Sequence, residues 1–186
     1  MPAQISPGPL GIDSATARGQ VDFGTLARVA SPPPSLLAQV AAPKAAAPQS
    51  GNPRHVNDFF DDLYPTLKKL AEDVAVEEDC ILALSSYESG WYNAHNRGLN
   101  NPFGLTKGGG NNLKFASPKA AADYWRETFG PQVRGAKSID AFVRALLSPP
   151  RVYNTVNPQW GAKVKLQHNS VVKRKAIWLA EKEKRQ

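Results

Sequence analysis

The chain has 186 residues, of which 41% are hydrophobic and 21% charged, and its formal net charge is +7. A composition this apolar excludes a wholly disordered protein, and the single cysteine, Cys80, excludes a disulfide scaffold and a zinc site built from several thiolates. No apolar run approaches the ~18 residues that a membrane span needs, so no membrane-spanning segment is predicted.

The first part of the chain, residues 1–53, differs in composition from the rest. It holds nine of the sixteen prolines and a single aromatic residue, Phe23. Such a segment cannot bury enough apolar surface to offset the conformational entropy lost on folding. We therefore expect a disordered Pro/Ala-rich tail or linker over residues 1–53 and one folded domain over residues 54–186.

The folded part begins with a helical pattern. Asn52 and Pro53 are typical of a helix start, and apolar residues then recur at helical spacing as far as Leu70. Pro65 lies inside this stretch, and proline removes a backbone donor and clashes with the preceding turn. The sequence therefore predicts that this helix is kinked or divided at Tyr64.

A second helix is predicted from about Glu77 to a stop at Gly90, because acidic residues suit the positive end of a helix dipole. From residue 100 to 115, apolar residues alternate with small or polar ones around a run of three glycines, which predicts a small β-hairpin. Further helix starts are indicated at Ser117, Ser138, Asn157 and Asn169. The predicted fold is mainly α, a helical domain interrupted once by a short β lobe.

Basic residues are concentrated in two parts of the chain. Residues 163–185 contain eight lysines and arginines against two glutamates, and no acidic residue occurs between Glu88 and Asp123. Concentrated positive charge suits an acidic polymer such as nucleic acid, teichoic acid or the carboxylates of peptidoglycan. A solvated basic surface without a partner is the alternative.

Glu88 is the residue whose position suggests chemistry. It lies seven residues after Ile81 and four after Leu84, which places a carboxyl group on the apolar face of the second helix, in its last turn. Burial raises the pKa of a carboxyl group, and a raised pKa is what a general acid needs to protonate a glycosidic oxygen near neutral pH. A carboxylate that is paired with an arginine or that caps a neighbouring turn is the structural alternative.

Several blocks of sequence carry a resemblance to a known family. They are Ile81–Trp91 with its Glu-Ser-Gly-Trp end, the Asn-Pro-Phe-Gly-Leu of residues 101–105, Phe115–Pro118 with Tyr124, and Tyr153-Asn-Thr with Trp160 and Lys163. Over about residues 56–165 the chain resembles the bacterial cell-wall glucosaminidases, the family of flagellar muramidases and autolysins. The resemblance implies a lysozyme-like helical fold with a small β lobe. It also implies cleavage of β-1,4 bonds between N-acetylglucosamine and N-acetylmuramic acid in peptidoglycan.

The same resemblance implies roles for single residues. Glu88 is the expected general acid, and Tyr153 is expected to position the substrate or a water molecule. The expected substrate-binding residues are Trp91, Asn101, Phe103 and Asn154. Aromatic rings suit the apolar faces of sugars, and amide side chains suit their acetamido groups.

A second catalytic carboxylate is missing from the expected region. Hydrolysis by two carboxylates needs them about 5 to 9.5 Å apart, and residues 89–122 contain no acidic residue. The partner is therefore Asp123 or Glu127, or it is absent. Without it three mechanisms remain: attack by the substrate's acetamido oxygen, attack by a water that Tyr153 orients, or attack by the sugar's own 6-hydroxyl, as in lytic transglycosylases.

Other classes of site are less well supported. Acidic neighbours disfavour Cys80 as the nucleophile of a cysteine peptidase, because they raise the pKa of a thiol. The three histidines have no metal-ligand spacing and the glycine run lacks the pattern of a phosphate loop, so we expect no metal and no cofactor. A non-catalytic module that binds glycan is the alternative to an enzyme, and nucleic acid is the less favoured partner.

The N-terminus lacks the basic start and the continuous apolar stretch of a secretory signal. We therefore expect action in the periplasm or cell wall without an N-terminal signal peptide. A specialised secretion system, a flagellar assembly or a phage particle would deliver the protein, with the proline-rich tail as the delivery or tethering segment.

Overall fold

The computed structural model describes residues 51–108 and 110–185. The prediction of a disordered tail falls on residues 1–53 and lies almost entirely outside the described residues. Six helices are formed by the described part of the chain: α1 (Arg54–Asp73), α2 (Glu78–Ser89), α3 (Ala94–Gly98), α4 (Pro118–Val133), α5 (Ile139–Leu146) and α6 (Trp160–Glu183). None of these helices combines the length and the hydropathy that crossing a membrane requires.

Helix α1 starts where the sequence predicts, directly after Pro53, whose carbonyl accepts a hydrogen bond from the Val56 amide at 2.9 Å. The sequence predicts a kink or a division at Tyr64, and the division does not occur, because Pro65 lies inside one helix of 20 residues. Proline removes one backbone donor there, and buried side chains on both sides, Leu63 and Leu67, hold the two halves against the core.

Helix α2 has the start and the stop that the sequence predicts. Glu77 is its N-cap, and Gly90 follows its last residue with φ +57°, in the left-handed region that favours glycine. The helix packs against both α1 and α6. Its residues from Cys80 to Ser86 are buried, so α2 is the central helix of the domain.

The predicted β lobe is reduced to a loop between α3 and α4. It contains one isolated antiparallel bridge, between Thr106 and Asn112, and the described residues form no strand. The amide of Leu113 donates to the carbonyl of Leu105 at 2.8 Å, so the two arms of the loop still pair around the glycine turn. Helix α3 was not predicted, because five residues are too few to show a periodicity.

The remaining helices follow two of the four predicted starts. Helix α6 begins at Trp160, with Gln159 as its N-cap, and not at the predicted Asn157. The Ser117 and Ser138 hydroxyls accept hydrogen bonds from backbone amides in the first turns of α4 and α5. The helix start predicted at Asn169 is wrong, because α6 runs without a break over 24 residues. Asn169 is an exposed residue in its middle, where packing of the opposite face decides the conformation rather than the local preference for a cap.

Candidate active site

A cleft opens beside the C-terminal end of α2, and the Glu88 side chain lies in it. The left-handed Gly90 ends the helix so that Glu88 occupies its last turn, half-buried at the edge of the core. The cleft has a volume of about 330 Å³, the size of a small-ligand pocket. Its lining residues are Glu88, Phe103, Gly104, Leu105, Thr106, Phe129, Tyr153 and Asn154.

The surroundings of Glu88 raise the pKa of its carboxyl group to near neutral pH. Burial raises the pKa of the carboxyl group from 4.5 to about 7, because the ionised form loses its hydration. The indole N–H of Trp160 donates a hydrogen bond to Oε1 at 2.5 Å and opposes the rise by stabilising that ionised form. No arginine or lysine among the described residues pairs with Glu88. The alternative in which Glu88 forms a structural ion pair is therefore wrong.

The loop that follows α3 is packed directly onto the end of α2. Gly104 has φ +57°, and a Cβ added there would lie 2.9 Å from the backbone oxygen of Glu88. The Ser85 hydroxyl donates to the carbonyl of Pro102 at 2.8 Å and fixes the loop one turn earlier along the helix. The loop therefore forms one wall of the cleft only because residue 104 has no side chain.

Asn101 holds this loop in shape from inside. Its Nδ2 donates to the carbonyls of Leu105 and Leu113, each at 2.9 Å, and its Oδ1 accepts from the Leu105 amide at 3.0 Å. The side chain is 0% exposed. The structure thus places Asn101 behind the cleft wall and not on the surface that a sugar would touch.

Tyr153 also lines the cleft and is hydrogen-bonded to the loop after α3. Its hydroxyl donates to the carbonyl of Phe103 at 3.0 Å, and its ring lies between those of Phe129 and Trp160, with centroid distances of 4.7 and 5.4 Å. Burial, together with the negative charge of Glu88, raises the pKa of Tyr153 well above its usual value of 10. The phenol is therefore neutral at pH 7.

The other predicted binding residues differ in where they lie. The Phe103 ring is buried beneath the cleft and stacks on Trp125 at 5.5 Å. Asn154 lines the cleft, while its Oδ1 accepts bonds from two backbone amides of the following turn. Trp91 is not among the lining residues; its ring meets Phe59 edge to face at 5.2 Å on α1. The fold thus brings Glu88, Phe103, Tyr153 and Asn154 together and leaves Trp91 and Asn101 outside.

Neither candidate for a second carboxylate lies in the cleft. Asp123 pairs with Lys119 at 2.7 Å and with Arg126 at 3.3 Å on its own helix, α4. Glu127 lines a separate cavity between α4 and the segment that follows α5. Among the described residues that line the cleft, Glu88 is the only acidic one.

Three residues of the site were not assigned a role from the sequence. Trp160 bonds to Glu88, and Thr106 and Phe129 line the cleft. Trp160 appeared in the resemblance only as a matching residue. Its distance from Glu88, 72 positions along the chain, gives no local pattern that pairs the two. The position of Phe129 in α4 has the helical spacing of a core residue, so the sequence does not indicate that it lines the cleft.

Cys80 lies towards the other end of α2 and is fully buried. Burial, with the nearby carboxylates of Glu77 and Asp79, raises the pKa of its thiol to about 12. The thiol is therefore protonated at neutral pH, which argues against a cysteine nucleophile.

No protein-family model and no curated protein matches the chain. Solved structures do. A chain of a structure described as a type VI secretion system effector–immunity complex from Pseudomonas protegens is 24% identical, with a TM-score of 0.59, over 68% of this chain and 98% of that one. A peptidoglycan hydrolase from Sphingomonas sp. A1 is 19% identical, with a TM-score of 0.56, over 66% of this chain and 94% of that one. These likenesses establish the fold, and the predicted class, a mainly helical domain, is confirmed.

Proposed function

We propose that the protein cleaves the glycan strands of peptidoglycan, at β-1,4 bonds between N-acetylglucosamine and N-acetylmuramic acid, with Glu88 as the general acid. One observation carries the proposal: a carboxyl group with a pKa raised to about 7 lies in a cleft without a basic partner among the described residues. Structures of the same fold that are described as peptidoglycan hydrolases support the substrate class.

The chemistry of the acid step follows from the surroundings of Glu88. A carboxyl group with a pKa near 7 carries its proton in about half of the molecules at neutral pH, and it can transfer that proton to the glycosidic oxygen as the C–O bond breaks. Glu88 is then ionised. The Trp160 N–H, already bonded to Oε1, stabilises that carboxylate without any rearrangement of the protein.

The cleft offers features that suit an amino sugar. Its volume is that of a small-molecule site, and the rings of Phe129 and Tyr153 line one side. Aromatic rings suit the apolar face of a pyranose. Thr106 and Asn154 are polar residues of the lining, and their hydroxyl and amide groups suit the hydroxyl and acetamido groups of a sugar.

The second step has to proceed with one protein carboxylate. In the hydrolysis that we propose, the nucleophile is either the substrate's own acetamido oxygen or a water molecule that Tyr153 orients. The Tyr153 hydroxyl donates a hydrogen bond to the carbonyl of Phe103, and in this proposal a lone pair of the same oxygen accepts a hydrogen bond from the water. Cyclisation by the sugar's 6-hydroxyl, the lytic transglycosylase reaction, is the second candidate. The absence of another acidic residue from the described lining of the cleft favours it.

The assignment of Glu88 is tested on purified sacculi. Wild-type protein is expected to release soluble sugar fragments, and Glu88→Gln is expected to abolish release, because the amide cannot donate a carboxyl proton. Glu127→Gln is the matched control, since it removes a carboxyl group that lines a different cavity. An active Glu88→Gln variant contradicts the assignment.

Mass spectrometry of the released fragments identifies the bond and the mechanism. Hydrolysis leaves reducing ends, with N-acetylglucosamine at the end if the protein is a glucosaminidase and N-acetylmuramic acid if it is a muramidase. Cyclisation leaves anhydro-muramyl ends that are lighter by one water. Anhydro ends as the main product would reject hydrolysis and leave Glu88 as the acid. Release of no sugar fragment by the wild type, with binding to the wall retained, would support the non-catalytic binding module instead.

We also propose that the protein acts in the periplasm after delivery by a specialised secretion route. The likeness to a chain from a type VI secretion system effector–immunity complex supports this route over flagellar or phage delivery. Expression in the cytoplasm is expected to leave the producing cell intact, whereas the same chain fused to an export signal is expected to lyse it. Lysis that persists in an exported Glu88→Gln variant would contradict wall cleavage as the cause.

A further inference from the structure

A second cluster of reactive side chains lies near the start of α2, away from the cleft. Glu77, Cys80 and His168 each offer one donor atom, and the carboxylate oxygen, the sulfur and the imidazole nitrogen all lie within 4.8 Å of one another. At 1.5 Å per helical residue, Cys80 is about 12 Å along α2 from Glu88. The cluster is therefore separate from the proposed catalytic site.

Two helices bring these donors together. Glu77 is the N-cap of α2, and its carbonyl accepts the Cys80 amide at 3.0 Å, so both side chains belong to the first turn. His168 comes from α6, which packs along α2. Cys80 and His168 are far apart in the chain, which explains why the sequence shows no metal-ligand spacing and predicts no metal.

Each of the three side chains has an atom that could bind a metal and for which the described residues provide no hydrogen-bond or disulfide partner. Nε2 of His168 is buried and has no hydrogen-bond partner among the described residues. Cys80 is fully buried and not in a disulfide. The side chain of Glu77 makes no capping hydrogen bond to the helix that it begins. A buried polar atom without a partner is uncommon in native proteins and calls for a ligand or a bound water.

We propose that Glu77, Cys80 and His168 bind one divalent transition-metal ion, and that Zn²⁺ is the ion that fits best. Thiolate, imidazole and carboxylate are the zinc ligands of proteins, and three of them leave the fourth tetrahedral position for water. One thiolate and one carboxylate balance the charge of Zn²⁺ in this partly buried position. Binding forms a zinc–sulfur bond and releases the thiol proton to solvent.

The geometry needs only a small closure. Zinc–ligand bonds of about 2.0 to 2.3 Å put ligand atoms roughly 3.5 Å apart in a tetrahedron. The three atoms lie within 4.8 Å of one another, so they have to approach by at most about 1.3 Å. Glu77 is exposed and can rotate towards the other two residues. The bound ion would join α2 to α6, the two helices that supply Glu88 and Trp160 to the cleft, and thereby stabilise their packing.

The test uses full-length protein freed of metal and then dialysed against ZnCl2, with bound zinc measured by elemental mass spectrometry. We expect one zinc per chain and a melting temperature that rises with zinc concentration. Cys80→Ala and His168→Ala are expected to remove both effects. His95→Ala is the matched control, because it deletes an exposed histidine outside the cluster and is expected to leave binding unchanged.

A measurement on the wild type alone does not depend on how the variants fold. Co²⁺ in place of Zn²⁺ gives a near-ultraviolet charge-transfer band when it is bonded to a thiolate, and we expect that band to appear with one equivalent of cobalt. Absence of the band, or zinc binding that survives both Cys80→Ala and His168→Ala, overturns the proposal. Neither measurement involves a wall substrate, so the outcome is independent of the function proposed for Glu88.

Discussion

At the scale of single residues, burial and the Trp160 hydrogen bond have opposite effects on the pKa of Glu88. Burial raises the pKa of the carboxyl group, and the indole hydrogen bond lowers it, with burial the larger effect. The result, a pKa of about 7, is the value at which the group can both hold and transfer a proton near neutral pH. A third residue, Tyr153, stacks on the Trp160 ring at a centroid distance of 5.4 Å.

Trp160→Phe is expected to raise the pKa of Glu88 above 7, because burial remains while the stabilising bond to the ionised form is lost. A hydrogen bond to a charged group contributes about 1.5 to 3 kcal/mol, or roughly one pKa unit or more. Since a general acid works only when protonated, the alkaline limb of the kcat/KM profile should move to higher pH by about one unit.

The control for this variant is Trp178→Phe. It removes another indole donor of α6, one that bonds to Asp61 at 2.8 Å. Its pH profile is expected to match that of the wild type. An alkaline limb that stays in place in Trp160→Phe would show that Glu88 is not the group that titrates in the profile.

The free energy of unfolding of the wild type should depend on pH through the same carboxyl group. The pKa of Glu88 is about 7 in the folded chain against an ordinary value of 4.5, so between these pH values the folded state holds a proton that the unfolded state has released. The contribution of Glu88 to the free energy of unfolding therefore falls as pH rises from about 4.5 to 7.

Glu88→Gln removes that titration. It should be more stable than the wild type at pH 8, by up to about 3 kcal/mol, and the difference should shrink towards zero below pH 4.5. Urea unfolding of both proteins at the two pH extremes measures it. A variant that loses activity and is equally destabilised at both pH values would indicate a structural role for Glu88.

At the scale of elements, the cleft depends on how closely the loop after α3 approaches the end of α2. Gly104 permits that approach, Asn101 holds the loop from behind, and Ser85 fixes it to the helix. The same loop supplies the carbonyl that accepts the Tyr153 hydroxyl. The loop after α3 therefore sets both the wall of the cleft and the orientation of Tyr153. It does so although the described residues form no strand.

Gly104→Ala should separate this loop from α2, because its Cβ would lie 2.9 Å from the Glu88 carbonyl oxygen and its φ of +57° strains any other residue. A misplacement of about 1 Å at a catalytic site costs about 10²-fold in rate. Gly108→Ala is the matched control, with a φ of +61° and open space around the added carbon. It should cost about 1 to 2 kcal/mol of stability and leave turnover on sacculi unchanged. Equal activity of the two variants would contradict the role of the close approach.

At the scale of the whole molecule, the start of the described residues is anchored to the last helix. The side-chain Nδ2 of Asn52 donates to the backbone carbonyl of Arg174 at 2.8 Å and to Oδ1 of Asn57 at 3.1 Å. Asn57 in turn donates to Glu181 at 2.9 Å. This anchoring places Asn52, on structural grounds, with the folded part, two residues before the boundary that composition predicts.

Two truncations are expected to differ for this reason. Deletion of residues 1–50 keeps Asn52 and should leave the melting temperature and the activity on isolated wall unchanged. Deletion of residues 1–53 removes the Asn52 bonds and the N-cap of α1 and should cost about 1 to 2 kcal/mol in the free energy of unfolding. Loss of activity in the shorter deletion would show that the tail takes part in cleavage and is more than a delivery segment.

The sequence by itself determined the features that depend on neighbours within a turn or two. Serine caps, the glycine stop of α2 and the apolar spacing around Glu88 are local, and the structure places them as predicted. The local signal at Asn169 was misleading, and Pro65 does not divide α1, because burial of a continuous apolar face outweighs the preference of a single residue.

Only the tertiary structure decided which distant groups meet. It pairs Trp160 with Glu88, buries Asn101 behind the cleft, turns Trp91 towards α1, and draws Glu77, Cys80 and His168 into one cluster. It also keeps Asp123 and Glu127 out of the cleft. A helical periodicity tells which face of a helix is buried, but the partner on that face is fixed by packing between helices far apart in the chain, which no local pattern records.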